Sequence, residues 1–131
     1  MTKSLNEVTN KKYMKFLEES IDLKMLDSIV TVFYDKVLND EKVSHFFKNI
    51  DMSRQEASFK LFLAYALYGK ITYQGKFMKA VHADLNITVD QFNCVEMHMM
   101  DSLTLCKVPE DLVIGFSKMV ASVKGHIISH S

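Results

Sequence analysis

One proline and four glycines in 131 residues leave this chain with almost nothing to break a helix. Each such residue inside a helix costs about 1–3 kcal/mol against alanine, so a chain this poor in them is helical unless another pattern overrides. No strand-like alternation does so. Apolar residues instead recur at three- and four-residue steps. Over residues 23–38, Leu26, Ile29, Val30, Phe33 and Val37 share one face, with Tyr34 beside them. Asn39-Asp40 ends that stretch, and a brief apolar turn follows through His45, Phe46 and Phe47. A second long helix, capped by Asp51 or Ser53, presents Gln55, Phe59, Phe62, Leu63 and Ala66 inward and stops near Gly69. After a loop over 70–76 comes a short amphipathic piece around His82. Thr88 or Asp90 then caps a helix running to Leu105, with Phe92, Val95, Met99 and Leu103 inward. The last helix starts at Pro109, taken as its first helical position, and carries Leu112, Phe116, Met119, Val120, Val123 and Ile127. A shorter helix is expected over 11–19. The pattern is all-α, with no repeat and no internal linker.

Charge and composition narrow the function classes. Sixteen basic residues balance sixteen acidic ones, and a nucleic-acid binder would need a basic face. No apolar run approaches the roughly 18 residues that a membrane span needs. The polar start MTKSLNEVTNKKYMK lacks a signal-like apolar stretch, so the cytoplasm is the expected compartment. Cys94 and Cys106, on one helix, stand about 18 Å apart, beyond disulfide reach, and read as free thiols. Nine methionines and nine phenylalanines make a soft, aromatic interior that suits a large apolar ligand and equally suits a plain core.

Three polar residues interrupt the apolar faces: Tyr34, Gln55 and His82. A histidine among apolar neighbours is often a satisfied, half-buried residue. It can also offer a ring nitrogen to the iron of a flat cofactor. Tyr34 can be a buried tyrosine tied to a backbone carbonyl, and Gln55 a surface glutamine in a first helical turn. Together they can instead donate hydrogen bonds into one cavity, where they would stabilise a bound ligand that carries partial negative charge. Of the other histidines, His45 reads as a solvated loop residue and His98 as a helix residue hydrogen-bonded at the surface.

The order FYDKVLND, HFF, DMSRQ, YQGK, AVHADLNIT, QF and VPEDL resembles the truncated haemoglobins, the small two-over-two globins, and above all their first group. The resemblance runs over residues 23–127 and keeps its spacing throughout. It implies a two-over-two helical sandwich around one haem b per chain, with the globin domain over 21–131 and an extension with a short first helix over 1–20. By that resemblance His82 is the proximal iron ligand, Tyr34 the distal tyrosine and Gln55 the early distal position. Phe59, one turn beyond Gln55, stands where relatives often carry glutamine or a smaller residue, which removes one possible hydrogen-bond partner. Phe47 packs on the porphyrin and Phe62 against its edge. Phe46, Leu63, Met78, Val81, Ile87, Phe92, Val95 and Val120 fall at cofactor-lining positions, and Arg54 and Tyr73 near the propionates. Ser58 cannot serve as the lysine or histidine that some relatives swing onto the iron.

The expected function is reversible binding of O2, with NO and CO as further ligands, in an oxygen-transport role and as a monomer. The resemblance also admits a nitric oxide dioxygenase served by a separate reductase. A haem-free helical interaction module would explain the composition, but not why Tyr34, Gln55 and His82 match one pattern together.

Overall fold

The computed structural model describes residues 23–67, Lys79 and 82–128. The helix expected over 11–19, the rest of the 1–20 extension and the loop over 70–76 lie outside the described residues. Within them are four α-helices and two short 3₁₀ turns, and no strand.

Helix α1, Leu23–Leu38, has the span that the periodicity predicts and buries Leu26, Ile29, Val30, Phe33, Tyr34 and Val37. Asp40 closes it, its N–H donating to the Val37 carbonyl at 3.2 Å. The Asp40 carbonyl then accepts from Val43 and Ser44, at 3.1 and 2.8 Å, and its carboxylate accepts from the Lys42 N–H at 3.0 Å. That tight turn buries Val43 completely and launches the 3₁₀ turn Ser44–Phe47.

Helix α2 is Met52–Leu67. Of the two possible caps, Asp51 is the one used: its carboxylate accepts from the Arg54 N–H at 3.3 Å. Phe59, Leu63 and Leu67 are buried, while Gln55, Phe62 and Ala66 are half-buried. The second 3₁₀ turn, Ala83–Leu85, follows His82 directly and ends at Asn86 in the left-handed region, φ 52°. Asparagine tolerates that conformation better than most residues.

Helix α3, Val89–Leu105, starts with a full capping box. The Thr88 hydroxyl accepts from the Gln91 N–H at 3.1 Å, and the Gln91 side chain accepts from the Thr88 N–H at 3.0 Å. Its C-terminus is a Schellman motif. Val108 N–H reaches back to the Leu103 carbonyl and Lys107 N–H to that of Thr104, both at 3.0 Å. The accompanying apolar contact is met by Val108 and Leu103, both buried in the same core. Lys107 occupies the left-handed position, φ 61°, which usually belongs to glycine. Cys94 and Cys106 are free, as their spacing predicts.

Helix α4 is Glu110–Ile127. Pro109 stands one position earlier than expected, as the N-cap and not the first helical residue. Its ψ of 139° is extended, so helical geometry begins only at Glu110. Its carbonyl already accepts from Leu112 and Val113, at 3.0 and 3.1 Å, which is what a cap residue does.

The principal contacts close a ring: α1 packs on α2 and α3, and α4 packs on α3 and α2. Two helix pairs therefore stack as a two-layer sandwich around one apolar core, drawn from every helix and from Val43, Ile87 and Val108 between them. Lys124 of α4 bonds Asn93 at 3.0 Å and lies 5.3 Å from the Phe92 ring centroid, pinning α4 to the start of α3. No helix among the described residues is long and apolar enough to cross a membrane.

A lysine held left-handed costs about 1–2 kcal/mol, part of which glycine gives back through its freer unfolded chain. Lys107→Gly should therefore stabilise the protein by about 0.5–1 kcal/mol, read as a rise in the urea midpoint with an unchanged slope.

Candidate functional site

Two elements meet at Tyr34. Helix α1 carries the residue on the flank of its apolar stripe, so the ring enters the core and only 2% of the residue is exposed. The first turn of α2 carries Gln55, held there by Asp51, whose carbonyl accepts from the Gln55 N–H at 3.0 Å. The Gln55 side-chain amide donates to the Tyr34 hydroxyl at 3.1 Å, and that hydroxyl lies 3.5 Å from the Gln55 carbonyl. The first bond is of ordinary length, and the second is at the limit of a useful one. The tyrosine oxygen is thus held by an amide while its proton is only weakly engaged.

Aromatic rings fix the phenol in place. Phe33, Phe47 and Phe59 meet the Tyr34 ring near-perpendicularly, with centroids at 5.0, 5.6 and 5.6 Å. Such edge-to-face pairs add about 0.5–1.5 kcal/mol each beyond burial. Phe59 in turn lies 4.5 Å from Phe33 and stacks on Phe62 at 6.4 Å, and Phe62 meets Phe116 at 6.3 Å. The rings run from the 3₁₀ turn through α1 and α2 to α4. Burial pushes the Tyr34 phenol up from its ordinary value of 10 to about 12; the Gln55 bond pulls it back, and the Glu56 carboxylate adds a smaller upward push.

His82 stands on a different element. It is half-buried and immediately precedes the second 3₁₀ turn. Asn86 reverses the chain, Ile87 enters the core, and Thr88 begins the capped helix α3. The imidazole is therefore tethered, over a few residues, to a rigid helix start.

The contacts tie five sequence-singled residues to one another: Tyr34, Gln55, Phe47, Phe59 and Phe62. Leu63, Ile87, Phe92 and Val120 are buried in the same core, and Phe46 and Val95 pack against it half-buried. Arg54 is exposed on the first turn of α2. Tyr73, Met78 and Val81 lie outside the described residues. Phe33 and Phe116 belong to the aromatic group although sequence reasoning placed them only in the core stripes; the adjacency of Phe33 to Tyr34 was the available signal. His98 differs in part from expectation. It is a hydrogen-bonded helix residue, as expected, but half-buried between α3 and the Asp40 turn, its Nε2 2.7 Å from the Asp40 carboxylate, with 13% of its side chain exposed.

Known proteins are similar to this one in sequence and arrangement. The family model for bacterial-like globins matches residues 6–129. The group 1 truncated hemoglobin GlbN of Synechocystis is 36% identical over 92 residues, which cover 67% of this chain and 74% of that protein. The solved structure of Chlamydomonas reinhardtii THB4 aligns with a TM-score of 0.73 at 30% identity, covering 81% of this chain and 88% of its own. The truncated hemoglobin of Tetrahymena pyriformis, solved in its Fe(III) form, gives a TM-score of 0.68 at 29% identity, covering 80% and 90%. Sequence and helix arrangement agree, and the chain belongs to the bacterial-like globin family, among its group 1 truncated haemoglobins, whose work is haem-based binding of small ligands.

Proposed function

We propose that this chain holds one haem b through His82 and binds O2 reversibly on the side served by Tyr34 and Gln55. The observation that carries the proposal is the buried tyrosine–glutamine pair, an internal donor whose oxygen is anchored and whose proton is weakly held.

The residues present suit a haem. A porphyrin face needs apolar side chains that are covered on one side and open on the other. Phe46, Phe47, Phe62 and Val95 are of that kind, half-buried and packed on the core. An imidazole is the usual protein ligand to a globin iron, and His82 supplies one from a short, anchored element. When bound, haem supplies a ferrous iron that takes up a diatomic gas and releases it unchanged.

The remaining contributions are those of the side chains. His82 presents a ring nitrogen and is kept in register by Ile87 and the capped start of α3. The aromatic wall excludes water, which would compete for the hydroxyl proton. Tyr34 keeps that proton at any physiological pH, because its phenol ionises only near pH 12. Its O–H would donate a hydrogen bond to a ligand that gathers negative charge, as O2 does and CO hardly does. Gln55 holds the phenol oxygen from behind, so the donor needs little reorientation.

Two outcomes follow. Tyr34→Phe should speed O2 release by about tenfold, the scale of one hydrogen bond to a charged acceptor, and alter CO release by less than about threefold. Stopped-flow replacement of each gas measures both rates; equal effects on the two gases would remove Tyr34 as a selective donor. The second outcome concerns alkali. A phenol that ionises at about 10 unfolded and about 12 folded stabilises the fold fully below pH 10, and that stability is lost as pH rises towards 12. The wild type should therefore lose stability more steeply between about pH 10 and 12 than Tyr34→Phe does, as read by urea melts across that range.

A further inference from the structure

We propose that His98 is a positioning residue for the distal side: through Asp40 it holds the turn that sets Phe47 against Tyr34. The inference rests on the reading of Tyr34 as the ligand's hydrogen-bond donor, and it concerns two residues that this reading leaves without a role.

Asp40 is the hub of the corner after α1. Its backbone closes α1 and starts the 3₁₀ turn, and its carboxylate Oδ1 accepts from Lys42. The second carboxylate oxygen, Oδ2, meets His98 Nε2 at 2.7 Å, and these two residues are 58 positions apart. A carboxylate only accepts, so Nε2 carries the proton. The bond from His98, with the N–H of Lys42 behind it, also holds the Asp40 carboxyl below the ordinary carboxylate range. His98 itself is fixed within α3, where the carbonyl of the same residue accepts from the Ser102 hydroxyl at 2.6 Å; Ser102 is fully buried. The other ring nitrogen, Nδ1, is buried and meets no partner among the described residues. A buried polar atom left bare is a cost, and among the described residues the bond to Asp40 is the one by which the ring offsets it.

The route from that bond to Tyr34 is short. Asp40 accepts from Val43 and Ser44; Ser44 opens the 3₁₀ turn; Phe47 ends it, and its ring lies perpendicular to that of Tyr34 at 5.6 Å. Among the three rings that cage the phenol, Phe33 and Phe59 sit on long helices, whereas Phe47 sits on one turn of 3₁₀ helix that no side-chain bond caps. That wall needs an external brace, and the α3–Asp40 bond is one. Loosening it lets Phe47 swing away and water reach the Tyr34 hydroxyl, where water competes for the proton that the ligand uses.

The test compares the haem-loaded wild type with His98→Ala, His98→Gln, Asp40→Asn, Tyr34→Phe and the double variant Tyr34→Phe with His98→Ala. His98→Ala, which removes the donor, and Asp40→Asn, whose single acceptor oxygen cannot serve both His98 and Lys42, should each speed O2 release about threefold or more, with CO release nearly unchanged, while His98→Gln, whose amide can donate to Asp40, stays near wild type. In the Tyr34→Phe background, His98→Ala should add nothing. Independently of gas binding, amide hydrogen exchange at Val43 and Ser44 should quicken in His98→Ala and return toward wild type in His98→Gln. Unchanged O2 release in both His98→Ala and Asp40→Asn, or an equal effect with Tyr34 absent, overturns the inference while Tyr34 keeps its role. If His98→Ala does not fold, His98→Leu, which keeps the volume without the donor, takes its place. If Tyr34→Phe itself leaves O2 release unchanged, the donor reading fails and this inference falls with it.

Discussion

A tyrosine that is all but sealed inside a helical core has one polar atom to satisfy, and most of this molecule's organisation can be read from how that is done. The Tyr34 hydroxyl is out of reach of bulk water, so a partner must come from a neighbouring helix. Gln55 provides it from the first turn of α2. That bond fixes the register of α2 on α1, and the register places Phe59 and Phe62 beside the phenol and carries the aromatic contacts on to Phe116 of α4. A core that has to accommodate this polar pair is less free to slide than one of aliphatic residues alone.

The four helices then need little else to close the ring. Caps hold the ends: Asp51 for α2, the Thr88–Gln91 box and the Schellman turn for α3, and the carbonyl of Pro109 for α4. Two long-range bonds brace α3 on opposite sides, Lys124–Asn93 towards α4 and His98–Asp40 towards the corner after α1. The first steadies the start of α3, just after the His82 segment. The second steadies the corner that leads to Phe47. The element bearing the imidazole and the element bearing Phe47 are both referred to the same helix.

Helix spans were legible because breakers are scarce and apolar residues keep a helical period; α1 falls where its stripe predicts. Choices between adjacent cap residues were not legible, since Asp51 and Ser53, or Thr88 and Asp90, have similar propensities and only geometry selects one. Pro109 was read one position late for the same reason: proline suits both the cap and the first turn. The site was half legible. Each of Tyr34 and Gln55 admitted a plain reading, and the structure mixes the two. The Tyr34 hydroxyl does approach a backbone carbonyl, but that carbonyl belongs to Gln55, whose side chain turns inward and not to solvent. The partner of His98 could not be found from local pattern, because it lies 58 positions away and Asp40 looks like an ordinary polar residue of a turn. Ser102 was missed because a buried serine satisfied by a carbonyl one turn back leaves no mark on periodicity.

The central claim is that His82 holds a haem iron while Tyr34 and Gln55 serve the opposite side. Absorption spectra of the purified protein, ferric, ferrous, and ferrous under O2 and under CO, beside His82→Gly, test it most directly. The account predicts a globin-like haem spectrum in the wild type that shifts with each gas and returns when the gas is removed, and a spectrum lost or altered in His82→Gly. A wild type that takes up no haem, or a His82→Gly variant with unchanged spectra in every state, would contradict it.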